Sequence, residues 1–214
     1  MAPTLQHPNI RQATPNDIPH ILKLIRDLAD FEHSLDRVEA TEDSLRQTIN
    51  FAPDSDHPNP NPEGFSRTRI AGCFVLEAPP SGPPKSHQHA AAHQTQPPSS
   101  KSEQHGVEIV AIAIYYHTYS TWLAVSGVHL EDLYVAPTHR KRGYATKLFA
   151  HLAKLTEEVS GGRGRLQWDC LRWNTNALDF YKGDTIGGKS LDEWIAIRVE
   201  GKDELRRLAE KIEE

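Results

Sequence analysis

Cysteine is scarce in this chain: two residues, Cys73 and Cys170, in 214. Each sits inside an apolar, strand-like run, which reads as two buried reduced thiols and excludes a disulfide framework. Long hydrophobic runs are also missing. No stretch approaches the ~18 apolar residues of a membrane span, and the first residues, "MAPTLQHPNIRQATPND", carry no apolar leader core. The expectation is a soluble, cytoplasmic protein without a membrane partner. Positive charge is not in excess either. The formal net charge is -5, so the overall field offers no reason to expect nucleic acid and suits a cationic small substrate better. Hydrophobic residues make up only 37%, low for a globular chain, but the polar residues are unevenly spread.

Much of that polarity falls in residues 79–106, "PPSGPPKSHQHAAAHQTQPPSSKSEQHG". Without large apolar side chains this segment cannot bury enough surface to offset its ordering entropy, and it reads as a low-complexity insert. His87, His89, His93 and His105 lie in it without the fixed spacing of a ligand frame, so no metal is expected. The remainder has the length of one domain with a sizeable core, taken as residues 10–200.

The rest alternates between helix and strand signals. Thr14, Pro15 and Asp17 form a helix start, and Ile18, Ile21, Leu22, Ile25, Leu28 and Ala29 then share one helical face. A weaker helix is predicted from Thr41 to about Ile49, and residues 52–68 are turn-rich. Strands are predicted over 70–78, 107–119, 127–135, 165–171 and 193–199. With the insert removed, the first two of these read as a hairpin with an extended tip. Helices are predicted over 143–159 and 174–182, with a charged helix over 202–214. Elements mixed without regular βαβ alternation imply an α+β domain with a mixed sheet.

Between the strand ending at Val135 and the helix from Gly143 lies "APTHRKRG". Backbone N–H groups at a helix start, the positive end of the helix dipole, and small residues at 143 and 145 together make an anion cradle suited to phosphate or pyrophosphate. A basic run of this kind also reads as a solvated loop or a nuclear-localisation patch, and the residues alone leave these readings open.

The pattern R-x-x-G-x-A at Arg140, Gly143 and Ala145, following "LEDLYVAP", resembles the cofactor signature of the GCN5-related N-acetyltransferases (GNAT). "IRQATPNDIPHILKLIRDLADFE", "IYYHTYSTW" and "WNTNALDFYK" extend the resemblance to the diamine, polyamine and thialysine branch of that superfamily. The resemblance implies a twisted mixed sheet with splayed central strands flanked by helices, acetyl-CoA as co-substrate, a small amine as partner substrate, and a homodimer. The strands over 128–135 and 165–171 are then the two that part. Backbone groups of Leu133, Tyr134 and Val135 would pair with pantetheine, Lys141, Arg142, Gly143, Tyr144, Ala145 and Thr146 would cradle the pyrophosphate, and Arg140 would also belong to the cofactor site.

By the same resemblance Asn174, Thr175, Ala177 and Tyr181 meet the cofactor, with Tyr181 as general acid for the leaving thiolate. Glu131 would serve as substrate anchor or water-relayed base, and Phe31 and Glu32 would line the amine pocket. Asp169, an acid inside an apolar strand, could face the same site. Alternation along the strand sends Glu131 and Asp132 to opposite faces, where at least one must meet a cation or water. Trp168 and Trp173 read as packing residues.

Three departures qualify the match. Ser120 stands where polyamine-directed relatives tend to carry an acid, which favours a smaller, amino-acid-like amine such as thialysine. Ala145 replaces a glycine in the cradle, a mild change. "YKGDTIGGKSLDEW" differs from the usual continuation after the tyrosine. The rival readings are a spermidine/spermine acetyltransferase, a non-catalytic acetyl-CoA-binding or protein-interaction module, and an acetyltransferase of peptide tails.

Overall fold

The computed structural model describes residues 7–61, 68–80 and 106–212. Nearly all of the predicted insert, with its four histidines, lies outside the described residues. The chain divides into two compact units, residues 1–171 and 172–214.

The first unit opens with β1 (Asn9–Gln12), a short 3-10 turn over Pro15–Asp17 and α1 (Ile18–Phe31). The start signal is satisfied as the sequence predicts. The Asp17 carboxylate accepts hydrogen bonds from the Thr14 N–H at 2.7 Å and the Thr14 hydroxyl at 3.0 Å. Arg11 of β1, which the sequence did not single out, grips the same carboxylate at 2.6 and 2.9 Å and also reaches Glu77 at 2.9 Å. Burial alone would raise the Asp17 carboxyl, but the Arg11 and Thr14 hydrogen bonds outweigh it and hold the group below its ordinary range. Arg11 thus ties the helix start to the sheet.

There follow α2 (Glu42–Thr48), β2 (Ile49–Asn50), β3 (Ala71–Ala78), β4 (Glu108–Ser120), β5 (Val125–Val135), α3 (Tyr144–Ser160) and β6 (Leu166–Trp168). These strands form one mixed sheet in the order β1-β3-β4-β5-β6, with β2 also on β3. The β3–β4 hairpin is antiparallel from Ala71↔Tyr116 to Ala78↔Glu108, so its two strands meet at the insert's roots as the sequence suggests.

Helices cover both faces of the sheet. Ile18, Ile21, Leu22 and Leu24 of α1 pack with Leu45, Val75, Ile112 and Ile114. On α3, Leu148, Phe149 and Leu152 are buried. Cover on both sides explains why Val110 through Tyr115 of β4 are buried at every position, a continuous run where a half-exposed strand would alternate.

Tight packing inside the β3–β4 pair fixes one residue type. A Cβ on Gly72 would lie 2.3 Å from Cζ of Tyr115, whose ring stacks on Phe74 at 5.1 Å. Gly72→Ala must push this buried ring aside, and we expect a loss of about 2 kcal/mol, read as a lower urea midpoint at unchanged slope.

The second unit holds α4 (Thr175–Lys182) and α5 (Lys202–Ala209), the latter continued by a 3-10 turn over Glu210–Ile212. Both helices fall where the sequence predicts. The final strand over 193–199 does not form. Its apolar residues Trp194, Ile195 and Ile197 are 68, 80 and 86% exposed. A strand pattern records propensity, while a strand exists only where another supplies its hydrogen bonds. The predicted strand 165–171 is likewise cut to three residues, and Cys170, expected to be buried, is only partly so. Cys73 is buried, and burial pushes its thiol well up.

Candidate active site

The site is organised by a fork in the sheet. β5 and β6 run parallel, with Val128↔Leu166, His129↔Gln167 and Leu130↔Trp168 as partners, and the ladder stops there. β5 continues to Val135, paired with β4 alone, so Leu133, Tyr134 and Val135 lie beyond the fork. Backbone donors and acceptors on such an edge can take an extended amide-bearing ligand as an added strand.

Glu131 is the first β5 residue past the fork, and the β4–β5 register slips at it: Ile114 pairs with Asp132 while Tyr115 pairs with Leu130. Glu131 is the extra residue of a β-bulge, a feature that re-aims side chains. The uninterrupted alternation assumed from the sequence for Glu131 and Asp132 therefore does not hold. Bulges leave no compositional mark.

Four acids surround this point. Burial, then the fields of Glu131 and Glu32, push the Asp132 carboxyl up to about 6. Burial also raises Glu32, the residue that ends α1. Asp169 lies one residue past β6, with its side chain 95% exposed, rather than inside a strand. Its Oδ2 is 4.0 Å from Nε2 of His129, and Oε2 of Glu131 is 3.8 Å from the same nitrogen. His129 is buried and stacks on Tyr116 at 4.8 Å between centroids. Tyr116 is itself raised by burial, then by Glu131 and Asp169. Sequence reading had not marked His129, Tyr116 or Asp132 as site residues. Its usable signal for His129 was the two-residue spacing to Glu131 on a strand.

Such a cluster of acids makes a local negative field, which favours a cation. The Asp132 proton makes it pH-dependent: the native carboxyl keeps its proton to about pH 6, whereas the reference carboxyl releases it near 3.8. Between those values the unfolded state binds fewer protons, so stability falls as pH rises through the window and stays lower above it. Asp132→Asn should match the parent near pH 4 and exceed it at pH 8 by up to about 3 kcal/mol, measured by urea unfolding at both pH values.

The turn after β5 is a 3-10 segment over Pro137–His139 followed by an irregular stretch. Lys141 (φ 61°) and Gly143 (φ 74°) both adopt left-handed backbone, and Gly143 is the N-cap of α3. The first intrahelical bond runs from the Lys147 N–H to the Gly143 carbonyl. The N–H groups of Tyr144, Ala145 and Thr146 precede it and have no acceptor within the helix. No acidic residue occupies the first turn, and the space a Cβ of Gly143 would point into is open for 4 Å. A seventeen-residue helix opening this way suits a phosphate.

Arg140 is used differently from its neighbours. Its Nε donates to the Val135 carbonyl at 3.0 Å, and its guanidinium lies 5.4 Å from the Phe31 ring and 5.5 Å from the Tyr134 ring. It braces the turn against β5 and the end of α1 through the Tyr134 and Phe31 rings. Arg142 donates to the Thr138 carbonyl at 3.2 Å.

Of the residues the resemblance singles out, Phe31, Glu32, Glu131, Asp169 and the run from Leu133 to Thr146 belong to the first unit. Asn174, Thr175, Ala177 and Tyr181 belong to the second. There Asn174 caps α4, its Oδ1 accepting from the Ala177 N–H at 3.2 Å, which leaves its amide N–H groups as the donors available to a ligand. Tyr181 lies in the last turn of α4, its ring 5.4 Å from that of Phe180. Trp168 packs edge-on to Phe149 at 4.9 Å, as expected of a core aromatic. Trp173 is 51% exposed. Among the described residues there is no group of three or more His, Cys, Asp and Glu suited to a metal, and no helix long and apolar enough to cross a membrane.

The model of the acetyltransferase (GNAT) family matches residues 67–183, from β3 through Tyr181. The chain belongs to the GNAT acetyltransferase family. Over 205 residues this GNAT enzyme is 31% identical to the Bos taurus protein named thialysine N-epsilon-acetyltransferase, covering 94% of this chain and 97% of that one. It is 28% identical over 208 residues to L-ornithine N5-acetyltransferase NATA1 of Arabidopsis thaliana, covering 90% and 84%. An integron cassette protein from V. cholerae shares the fold at a TM-score of 0.60 and 18% identity, covering 94% of this chain and 97% of that one. The GNAT enzyme is an amine N-acyltransferase.

Proposed function

We propose that this GNAT enzyme acetylates the side-chain amine of a small amino-acid-like diamine, of the thialysine or ornithine type, by direct transfer from acetyl-CoA. The observation that carries the reading is the acidic cluster of Glu32, Glu131, Asp132 and Asp169 at the fork of the sheet, beside a helix start suited to pyrophosphate. The full-length similarity to a thialysine and an ornithine acetyltransferase supports the same substrate class. In this reading pantetheine lies along Leu133 to Val135 and the pyrophosphate rests on the N–H groups from Gly143 to Thr146 with Lys141 and Arg142 nearby, while the family resemblance assigns Asn174, Thr175 and Ala177 to the cofactor as well. The acids hold the ammonium. Once deprotonated, the amine attacks the thioester carbonyl, and Tyr181 protonates the departing sulfur.

Ser120 is part of the substrate argument. Its ladder partner is Val125, at the hairpin end, six residues along β4 from the Ile114–Asp132 pair, a span of about 20 Å at strand rise. Its hydroxyl accepts from the Leu123 N–H at 3.4 Å and so serves the turn. A missing acid there matters only to a substrate long enough to reach it, which again separates short diamines from polyamines.

The test is coenzyme A release from acetyl-CoA with thialysine, ornithine, lysine, putrescine, spermidine and spermine in parallel against a no-amine control. Preference for the amino-acid-like amines is the expected result. Spermidine preference overturns the substrate class. No turnover with any amine, in protein that binds acetyl-CoA, overturns the mechanism and leaves a macromolecular substrate or a binding module.

A further inference from the structure

We propose that His129 is the proton acceptor for the attacking ammonium, with Glu131 and Asp169 holding the imidazolium that results. This rests on the reading of the fork as an amine acetylation site. The geometry singles out His129 in three ways. It stands on β5 at the middle of the three rungs that join β5 to β6, two residues before Glu131. Its Nε2 is near two carboxylates, at 3.8 Å from Glu131 and 4.0 Å from Asp169. Both are too long for hydrogen bonds and short enough to stabilise a charge that appears on the ring. Its ring is held flat against Tyr116 of β4, with 21° between the planes, so the nitrogen has a set direction.

Among the described residues, the charged and titratable groups facing His129 from the elements around it are Tyr116 on β4, Glu131 on β5 and Asp169 after β6. Its register partner on β6, Gln167, does not titrate. Carboxylates are weak bases toward an ammonium at neutral pH, whereas imidazole is the side chain matched to that task. The two acids then have a different role: they attract the cationic substrate and stabilise the imidazolium.

The protons balance as follows. The ammonium gives one proton to Nε2 of His129, and the freed lone pair forms the N–C bond at the thioester carbonyl. On collapse the C–S bond breaks, and the thiolate takes the phenolic proton of Tyr181. The nitrogen's second proton restores that phenol, and the proton on His129 passes to solvent. Net, ammonium and acetyl-CoA give amide, coenzyme A and one proton.

The experiment is kcat/KM for the preferred amine against pH, in the parent and in His129→Gln, with acetyl-CoA affinity measured by calorimetry as the control for folding. We expect His129→Gln to bind acetyl-CoA within about twofold of the parent, to lose roughly 100- to 1000-fold in kcat/KM at pH 7, and to recover about tenfold per pH unit up to pH 9 as free amine replaces the lost base. In His129→Ala, added imidazole should restore activity at least about tenfold. A pH profile for His129→Gln parallel to the parent's, or a loss in His129→Ala that imidazole does not relieve, overturns the proposal and makes His129 a packing residue. Either result still leaves the parent's amine acetylation standing. A parent that acetylates no amine defeats the reading of the site itself.

Discussion

Tyr181→Phe is expected to lower kcat by about two to four orders of magnitude while acetyl-CoA binds as before. The change removes one oxygen from a residue in the last turn of α4 and leaves the ring that lies against Phe180. The helix keeps its Asn174 cap, and the Tyr181 backbone carbonyl still accepts from the Gly188 N–H at 2.8 Å. In the proposed mechanism, what is lost is the proton for a thiolate that leaves poorly without one. The deficit should therefore depend on the leaving group. An aryl thioester, whose thiolate departs unprotonated, should be turned over by parent and variant to within about tenfold, because general acid assistance shrinks as the leaving group becomes less basic. Equal deficits with both donors would show that Tyr181 shapes the site without supplying a proton. No deficit at all would favour a module that binds acetyl-CoA without catalysis.

Gly143→Asp should weaken acetyl-CoA binding by about 100-fold, near 2.7 kcal/mol, whereas Gly143→Asn should weaken it only a few-fold. Gly143 holds φ 74°, and asparagine and aspartate are the side chains that tolerate this left-handed region best, so both variants keep the turn at similar cost. Their difference is one negative charge at the open N-terminus of α3, where the helix dipole and unpaired N–H groups favour an anion. If the two variants bind acetyl-CoA equally, the cradle recognises the ligand by shape alone and the charge argument fails. Salt sharpens the comparison: the penalty of the Asp variant should shrink as ionic strength rises, since exposed charges are screened.

Much of this was legible because the relevant signals are local. The Thr14–Asp17 start, the apolar face of α1 and the basic turn before α3 each depend on neighbours a few residues away, and each appears where its residues predict. The hairpin across the insert was readable because β3 and β4 are both continuous apolar runs. The errors were non-local. "EWIAIRV" reads as a strand, yet no ladder in the sheet includes it. Asp169 read as an acid buried in a strand, but β6 ends before it.

By itself, then, the sequence determined the helices, the principal strands, the basic glycine turn before α3 and the family, because capping, periodicity and backbone freedom are properties of adjacent residues. Only the tertiary structure decided where β5 and β6 part, that a bulge falls at Glu131, and that His129 comes within 4.0 Å of both Glu131 and Asp169. Those features arise from pairing between strands far apart in sequence, and burial there, with the fields of Glu131 and Glu32, raises the Asp132 carboxyl into the range of a working pH. A carboxylate's identity is written in the chain, but its charge state is set by the water and the neighbouring charges that folding removes or brings near.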